Sequence, residues 1–469
     1  MSSTSIFIIT DSGCEDACVK EIERWSIAPV DVAPNVLTLE GTLDDAIALG
    51  YHLQTARRVL MKLAPVVRSL DDIEGLTPDL KLIDDTIGPD ATFKVEAEVL
   101  SMRATDAPRV DSDLVSERED ESPGLEDDNT TDTNPTLDSD SESNSDTASD
   151  SDTTSDIASH LDNDVDNDVE GSDDEDTVSR AATSGPYLTQ ELIEAVGDWA
   201  HERLRRKVNL KSPDVIIAAV TNPDGKIHIG IDVVGIPLSK REYRVMLSRR
   251  SLKATVAAAT VIYAGIDAKQ TILDPLADDG ALAIESALYL SRTSPRHYAT
   301  RFAFHKFPIY KGKDWMAWKA SQDKHVAPEK IERILAYCGQ LREMKAIRTN
   351  AKLAGVEKYI HGTKVDVDWM DLKLEENGVD CIVTAPIPGG KSISPKEAEK
   401  HTNNLFNQAA YVLKRRKQIT CITEKPDELL PHAKEHGFSQ IARHDILMGK
   451  RLMSIVTFEN GKGAKVAKK

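Results

Sequence analysis

Hydrophobic positions recur along this chain in short runs separated by longer amphipathic stretches. The runs SIFII (5–9) and VLTL (36–39) have the length and composition of strands, with a helix between them. Apolar residues at Ala46, Ile47, Tyr51 and Leu53 keep helical spacing, which predicts a helix over LDDAIALGYHLQTARRVLMKL from residue 43. A strand VVRSL, a helix ELIEAVGDWAHERLRRKV, and strands VIIAAV and KIHIGIDVV joined by the turn TNPDG extend this into a small α+β module. The module is interrupted between TFKVEAEVL (92–100) and YLTQELIEAVG (187–197).

From residue 237 the rhythm changes. A basic stretch, PLSKREYRVMLSRRS, leads into an Ala-rich helix, after which strand and helix alternate to the end. The sequence predicts strands at TILDPLA, ILAYCG (334–339), KVDV (364–367), DCIVTAP (380–386) and ITCIT (419–423). Helices are predicted from 281, over LREMKAIRTNAKLAG, from Pro395 to Leu413 and over 426–436, before a closing pair SQIARHDI and RLMSIVTFE joined by LMGK. This alternation implies a doubly wound, mostly parallel sheet with right-handed crossovers and an antiparallel edge. Between the helix from 281 and ILAYCG, seven of the chain's 23 aromatic residues are interleaved with Arg and Lys. Such a segment either stacks on nucleic-acid bases or packs over a sheet.

At 469 residues the chain is long enough for two or three domains. Its net charge of −20 comes from one place, because residues 111–180 hold 26 acidic side chains against Arg118 and Arg180. Without them the remainder carries +4, a mildly basic balance that permits an RNA partner. The acidic segment has no aromatic residue and repeats Ser, Asp, Thr and Asn, so a disordered insert is expected over 104–185. It is read either as a solvated spacer or as a competitor for the basic surface. Five irregularly spaced cysteines suit neither a disulfide framework nor a four-ligand zinc site, so no metal is expected. Neither a signal peptide nor a membrane span is apparent, and a cytoplasmic protein is expected.

The candidate chemistry centres on TILDPLADDGALAIESALYL (271–290). A strand running into Asp274, a short turn and a helix from Ala281 form the arrangement that holds a nucleotide-like ligand in α/β proteins. Such loops favour glycine and leave the helix N-terminus open to negative charge, whereas Asp278 and Asp279 stand here. Lys240, Arg241, Arg244, Arg249 and Arg250 lie together upstream, as a solvated helix start or as phosphate contacts.

PLSKREYR, LKATVAAA, DP...G...IESAL, FAFHKFP, TNAKLAGV, VDCIVTAP and the final GF...H..LMGKRL together resemble the THUMP-domain-containing class I S-adenosylmethionine-dependent RNA guanine methyltransferases. That resemblance implies an N-terminal ferredoxin-like part (1–70), a THUMP domain (71–236) enclosing the insert, a seven-stranded Rossmann-like methyltransferase domain (237–460) and a basic tail (461–469). It implies S-adenosylmethionine as cofactor and a structured tRNA or rRNA as partner. It places Asp274, Asp278, Gly280, Glu285, Cys338 and Asp366 in the cofactor site, and Ala385, Pro386, Ile387 and Pro388 at the target base.

Several of these positions depart from the family pattern. Asp278 and Asp279 replace a Gly and a Ser of D-P-M-C-G-S-G-T, Cys338 replaces the ribose-binding acid, and Ala385-Pro386-Ile387-Pro388 replaces N-P-P-Y. Like charges about 4 Å apart repel by roughly 1 kcal/mol in water-like surroundings and about 4 kcal/mol near a protein surface, which would penalise the cofactor's carboxylate. The sequence therefore predicts an RNA-binding protein whose methyl transfer is weak or lost. The alternatives are an active guanine-N2 methyltransferase and a non-enzymatic assembly subunit with a protein partner.

Overall fold

The computed structural model describes residues 4–100, 189–324, 330–387, 389 and 393–461. The insert expected over 104–185, Pro388 and residues 462–469 lie outside the described residues.

The N-terminal part consists of β1 (Thr4–Thr10), α1 (Glu15–Glu23), β2 (Asp31–Ala33), β3 (Val36–Gly41), α2 (Leu43–His52), β4 (Ala56–Lys62), α3 (Leu80–Thr86) and β5 (Thr92–Val99). Beyond the insert follow α4 (Thr189–Leu204), β6 (Lys207–Val208), β7 (Val215–Thr221) and β8 (Ile227–Asp232). All eight strands belong to one sheet, ordered β2-β3-β1-β4-β8-β7-β5-β6. β4 pairs antiparallel with β8, Leu60 opposite Asp232, so strands from both sides of residue 70 are continuous in one sheet.

The helix expected over 43–63 is half helix and half strand. α2 begins in a capping box between Thr42 and Asp45 and ends at His52. To continue, the N–H groups of Gln54 and Thr55 would have to reach back to the carbonyls of Gly50 and Tyr51. Instead the buried Glu21 carboxylate accepts both, at 2.6 and 3.0 Å. The Tyr51 carbonyl is taken by Ser294 and Arg296, at 2.5 and 3.1 Å. ARRVLMK is thereby released into β4. VVRSL contributes only an isolated bridge between Val67 and Ile227.

The C-terminal part contains α5 (Ala254–Tyr263), β9 (Thr271–Asp274), α6 (Ala281–Ser291), α7 (Trp315–Asp323), β10 (Arg333–Cys338), α8 (Leu341–Leu353), β11 (Ile360–Lys364) and β12 (Val379–Thr384). It ends with α9 (Pro395–Val412), β13 (Leu413–Thr423), α10 (Pro426–Glu435), β14 (Phe438–Met448) and β15 (Arg451–Asn460). Its seven strands run β11-β10-β9-β12-β13-β15-β14, parallel from β11 to β13 and antiparallel at β15 and β14. The strand predicted at 364–367 lies earlier, because β11 ends at Lys364 where KVDV begins. Chain order reverses between β9 and β12, which opens a crevice at their carboxyl ends.

The two sheets are locked together by segments that cross between them. The aromatic stretch does not cover the parallel sheet. Phe302, Phe304, Phe307 and Tyr310 are buried in the core of the N-terminal sheet, with Trp315 and Trp318 packed against it. Tyr310 donates to Asp44 and Tyr51 to Asp323, both at 2.9 Å. In the opposite direction, Cys14 and Ala17 enter the core around α5 and α6. The turn before α1 sits so tightly on β14 that a Cβ at Gly13, which has φ of +87°, would lie 2.0 Å from the Asp445 carbonyl oxygen. Among the described residues no helix is long and apolar enough to cross a membrane.

Candidate cofactor cleft and its acidic loop

β9 delivers Asp274 to the crevice, where it is buried. Its carboxylate accepts from the Thr384 hydroxyl at 2.9 Å and the Leu276 N–H at 3.2 Å, tying the ends of β9 and β12 together. Burial, only partly offset by these two bonds, pushes its carboxyl up to about 7. The loop then turns through Asp278, whose φ of 51° is left-handed, and Gly280 at +88°. A Cβ at Gly280 would meet Ile284 and Ile347 at 3.3 Å. Glycine there lets α6 begin hard against α8.

Neither acid of the loop is a bare charge. Asp279 is 3% exposed and accepts the Ala281 N–H at 3.2 Å, an Arg244 guanidinium N–H at 3.2 Å and the Ser251 hydroxyl. Asp278 accepts the Ser248 hydroxyl and lies 3.6 Å from Arg250. The buried Asn350 of α8 completes the clasp, donating to the carbonyls of Asp279 at 3.0 Å and Met246 at 2.9 Å while accepting the Met246 N–H at 3.1 Å. The repulsion expected from sequence presumed unpaired carboxylates, and these two are paired.

Beside the loop lies a cleft enclosing about 730 Å³, part of it open to solvent. Asp274, Asp278 and Asp279 line one side, Ala385 and Pro386 a second, and Arg249 and Arg250 the rim. Met448, Arg451 and Met453 of the terminal hairpin face them, with Arg451 paired to Glu424. Met448 and Arg451 were legible only within LMGKRL, and Met453, Ser248 and Ser251 were not anticipated from sequence, since a lone Met or Ser carries no distinguishing pattern. Asn350 was legible only within TNAKLAGV.

Glu285, Cys338 and Asp366, expected at the cofactor, are not among the residues lining this cleft. Glu285 is fully buried and faces away from the cleft, into the junction with the N-terminal part. It accepts from Gln54 Nε2 at 2.6 Å, Arg241 Nε at 3.0 Å and the Tyr243 hydroxyl at 2.7 Å. Burial, followed by the Glu285 charge, pushes the Tyr243 phenol well above its ordinary value. Cys338, at the end of β10, is buried, its thiol directed at the carbonyls of Gln340 and Thr363 at 3.5 and 3.8 Å and pushed up to about 11 mainly by burial. Asp366 is exposed and caps the Asp368 N–H at 3.2 Å.

The basic cluster also divides. Arg241 cannot meet an RNA phosphate, because its side chain is enclosed and spent on Glu285 and the carbonyls of Leu238 and Gln54. Arg244 is turned inward to Asp279, with a side chain 12% exposed. Lys240, Arg249 and Arg250 are at the surface.

Residues 241–451 match the model of the RMKL-like methyltransferase domain, UPF0020. The ribosomal RNA large subunit methyltransferase K/L of Vibrio parahaemolyticus is 28% identical over 186 residues, 39% of this chain and 26% of that protein. The chain thus spans about a quarter of the length of that curated relative. A possible methylase from Clostridium difficile 630 has the same fold, with a TM-score of 0.68 at 16% identity over 98% of this chain and 99% of the other. A candidate methyltransferase, SMU.472, solved in complex with SAH, has a TM-score of 0.65 at 13% identity over 98% and 99% of the two chains. With its strand order, its crevice at the β9 and β12 ends and this match, the segment 241–451 is similar to the RMKL-like methyltransferase domains and has the Rossmann-like class I methyltransferase fold.

Proposed function

We propose that this chain is an RNA-binding protein on a methyltransferase scaffold in which methyl transfer from S-adenosylmethionine is weak or lost. The observation that carries this reading is the Asp279 carboxylate on the first N–H of α6, the place where a helix N-terminus receives an anionic ligand group. Around it the residues do not fit the cofactor. Cys338 offers a buried thiol where two ribose hydroxyls need an acceptor, and Ala385 has no side-chain acceptor for a target amine. Methyl transfer depends on holding nucleophile and sulfonium in line, which these side chains do not supply.

Support for RNA is independent of the cleft. The chain outside the acidic segment carries +4, Lys240, Arg249 and Arg250 are at the surface, and a relative similar over 186 residues is named for ribosomal RNA. The partner is taken to be a structured tRNA or rRNA. One observation favours an active guanine methyltransferase instead: Arg244 and Arg250 offset the two acids and reduce the repulsion an anionic cofactor would meet.

Two measurements decide. Calorimetric titration with S-adenosylmethionine should show no heat at millimolar ligand; micromolar binding would overturn the loss of the cofactor site. Filter binding of bulk tRNA and of rRNA fragments should weaken linearly in log–log form as salt rises. Arg249→Ala should lower that slope by about 0.7 to 0.9, one phosphate's worth. Salt-independent or absent RNA binding ends the RNA reading.

A further inference from the structure

We infer that Asp278 and Asp279 are a latch that pins residues 244–251 over the rim of the cleft, closing that segment on the chain's own carboxylates instead of on an anionic ligand. In excluding the ligand the latch rests on the function proposed above. In pinning the segment it does not.

Residues 244–251 form neither helix nor strand. Apolar burial does not hold them in place, because Val245 and Leu247 are 60% and 64% exposed. What holds the segment is polar. Ser248 and Arg250 reach Asp278, Ser251 and Arg244 reach Asp279, and Asn350 grips both polar groups of the Met246 backbone. Glu343 of α8 also lies 3.8 Å from Arg250, so four of the six tethering side chains act through the two acids. A Gly and a Ser, the pair the resembling family has at these positions, carry no carboxylate to receive them. The left-handed turn at Asp278, a conformation that aspartate tolerates better than most residues, belongs to the loop that presents both carboxylates to the segment.

The two halves of the latch differ in exposure. Arg250 is 37% exposed, so its attraction to Asp278 is open to screening, whereas the Arg244 and Asp279 side chains are 12% and 3% exposed and are screened far less. Added salt should loosen the segment at Arg250 first.

Arg249 and Arg250 make the segment its own reporter, since trypsin cuts after either once it opens. The experiment compares the full-length chain with D278G/D279S and with the near-isosteric D278N/D279N, each checked for native near-UV circular dichroism. Cleavage after Arg249 or Arg250 is mapped by mass spectrometry, and binding of S-adenosylhomocysteine is followed by calorimetry. The latch predicts at least a tenfold faster cut at these arginines in D278G/D279S, a smaller acceleration in D278N/D279N, and new micromolar S-adenosylhomocysteine binding in D278G/D279S. Folded variants that are cut within twofold of the wild-type rate overturn the latch. Faster cutting without new binding upholds the latch and overturns the exclusion of the ligand. Micromolar binding by the wild-type chain overturns the proposed loss of the cofactor site, and the cleavage rates alone then judge the latch.

Discussion

Replacing Asp274 with Asn should make the protein more stable above neutral pH and leave it nearly unchanged below pH 4. The side chain is buried, and burial dominates the influences that carry its carboxyl from an ordinary 3.8 to about 7. Between those two values the folded chain keeps a proton that the unfolded chain has released. Stability must therefore fall as pH rises through this window. At 1.36 kcal/mol per pH unit the span corresponds to about 4 kcal/mol, reached at pH 7 and constant above it. Asparagine does not titrate, and its side-chain oxygen can still accept from Thr384 and Leu276. Urea denaturation of both proteins from pH 4 to 8.5 isolates the effect, because every other titrating group is common to the pair. The stability gap should open from near zero at pH 4 and level off at about pH 7. Parallel curves, with a gap that changes by less than about 1 kcal/mol across the range, would refute the assignment of Asp274 as a carboxyl strained by burial.

Two further substitutions test the junction between the sheets. Arg241→Met leaves Glu285 enclosed with only Gln54 and Tyr243 as donors, and should cost about 3–5 kcal/mol in urea denaturation while the RNA affinity of the folded protein is unchanged. Weakened RNA binding with intact stability would instead put Arg241 on the RNA. Phe304→Ala, in the segment after α6 but inside the N-terminal core, should cost about 3–5 kcal/mol and lower one common calorimetric transition. Two transitions of which only one moves would show that the halves melt independently.

Most of the parallel sheet was legible because strands such as TILD and DCIVT are compact apolar runs and the helices α8, α9 and α10 are amphipathic, whereas β11, IHGTK, is largely polar and its end was expected three residues too late. The N-terminal part was less legible where tertiary partners override local preference. ARRVLMK continues the helical pattern of α2, and only Glu21, more than thirty residues upstream of Gln54 and Thr55, captures the N–H groups that would have extended it. The aromatic stretch was expected to stack on bases or to pack over a sheet; most of it packs into the N-terminal core, and nothing in its spacing says which sheet it covers. At the candidate site, Asp274, Asp278 and Ala385 were brought together as strand ends should be. Glu285 was misplaced for a geometric reason. Its position one turn into α6 leaves open which side of the helix meets the cleft, and the side bearing Glu285 meets Arg241 and Tyr243 of the REYR run.

The two acids of the loop show how sequence and structure weigh the same residues differently. A carboxylate as enclosed as Asp279 could not persist unpaired, since an isolated buried charge is strongly destabilising. It is tolerated because Arg244, Ser251 and the Ala281 N–H all donate to it, and two of those donors come from the segment it holds down. The same donors are the ones an anionic ligand would need at this helix N-terminus. The Ser251 hydroxyl and the Ala281 N–H have one hydrogen each, so while they are bonded to Asp279 they cannot serve a second carboxylate, and the bonds that make the acid tolerable in the fold withhold these donors from a ligand. Neutralisation by Arg244 therefore does not by itself restore a binding site. Charge balance removes the repulsion, but the hydrogen-bond donors remain occupied, and a ligand must displace Asp279 to reach them.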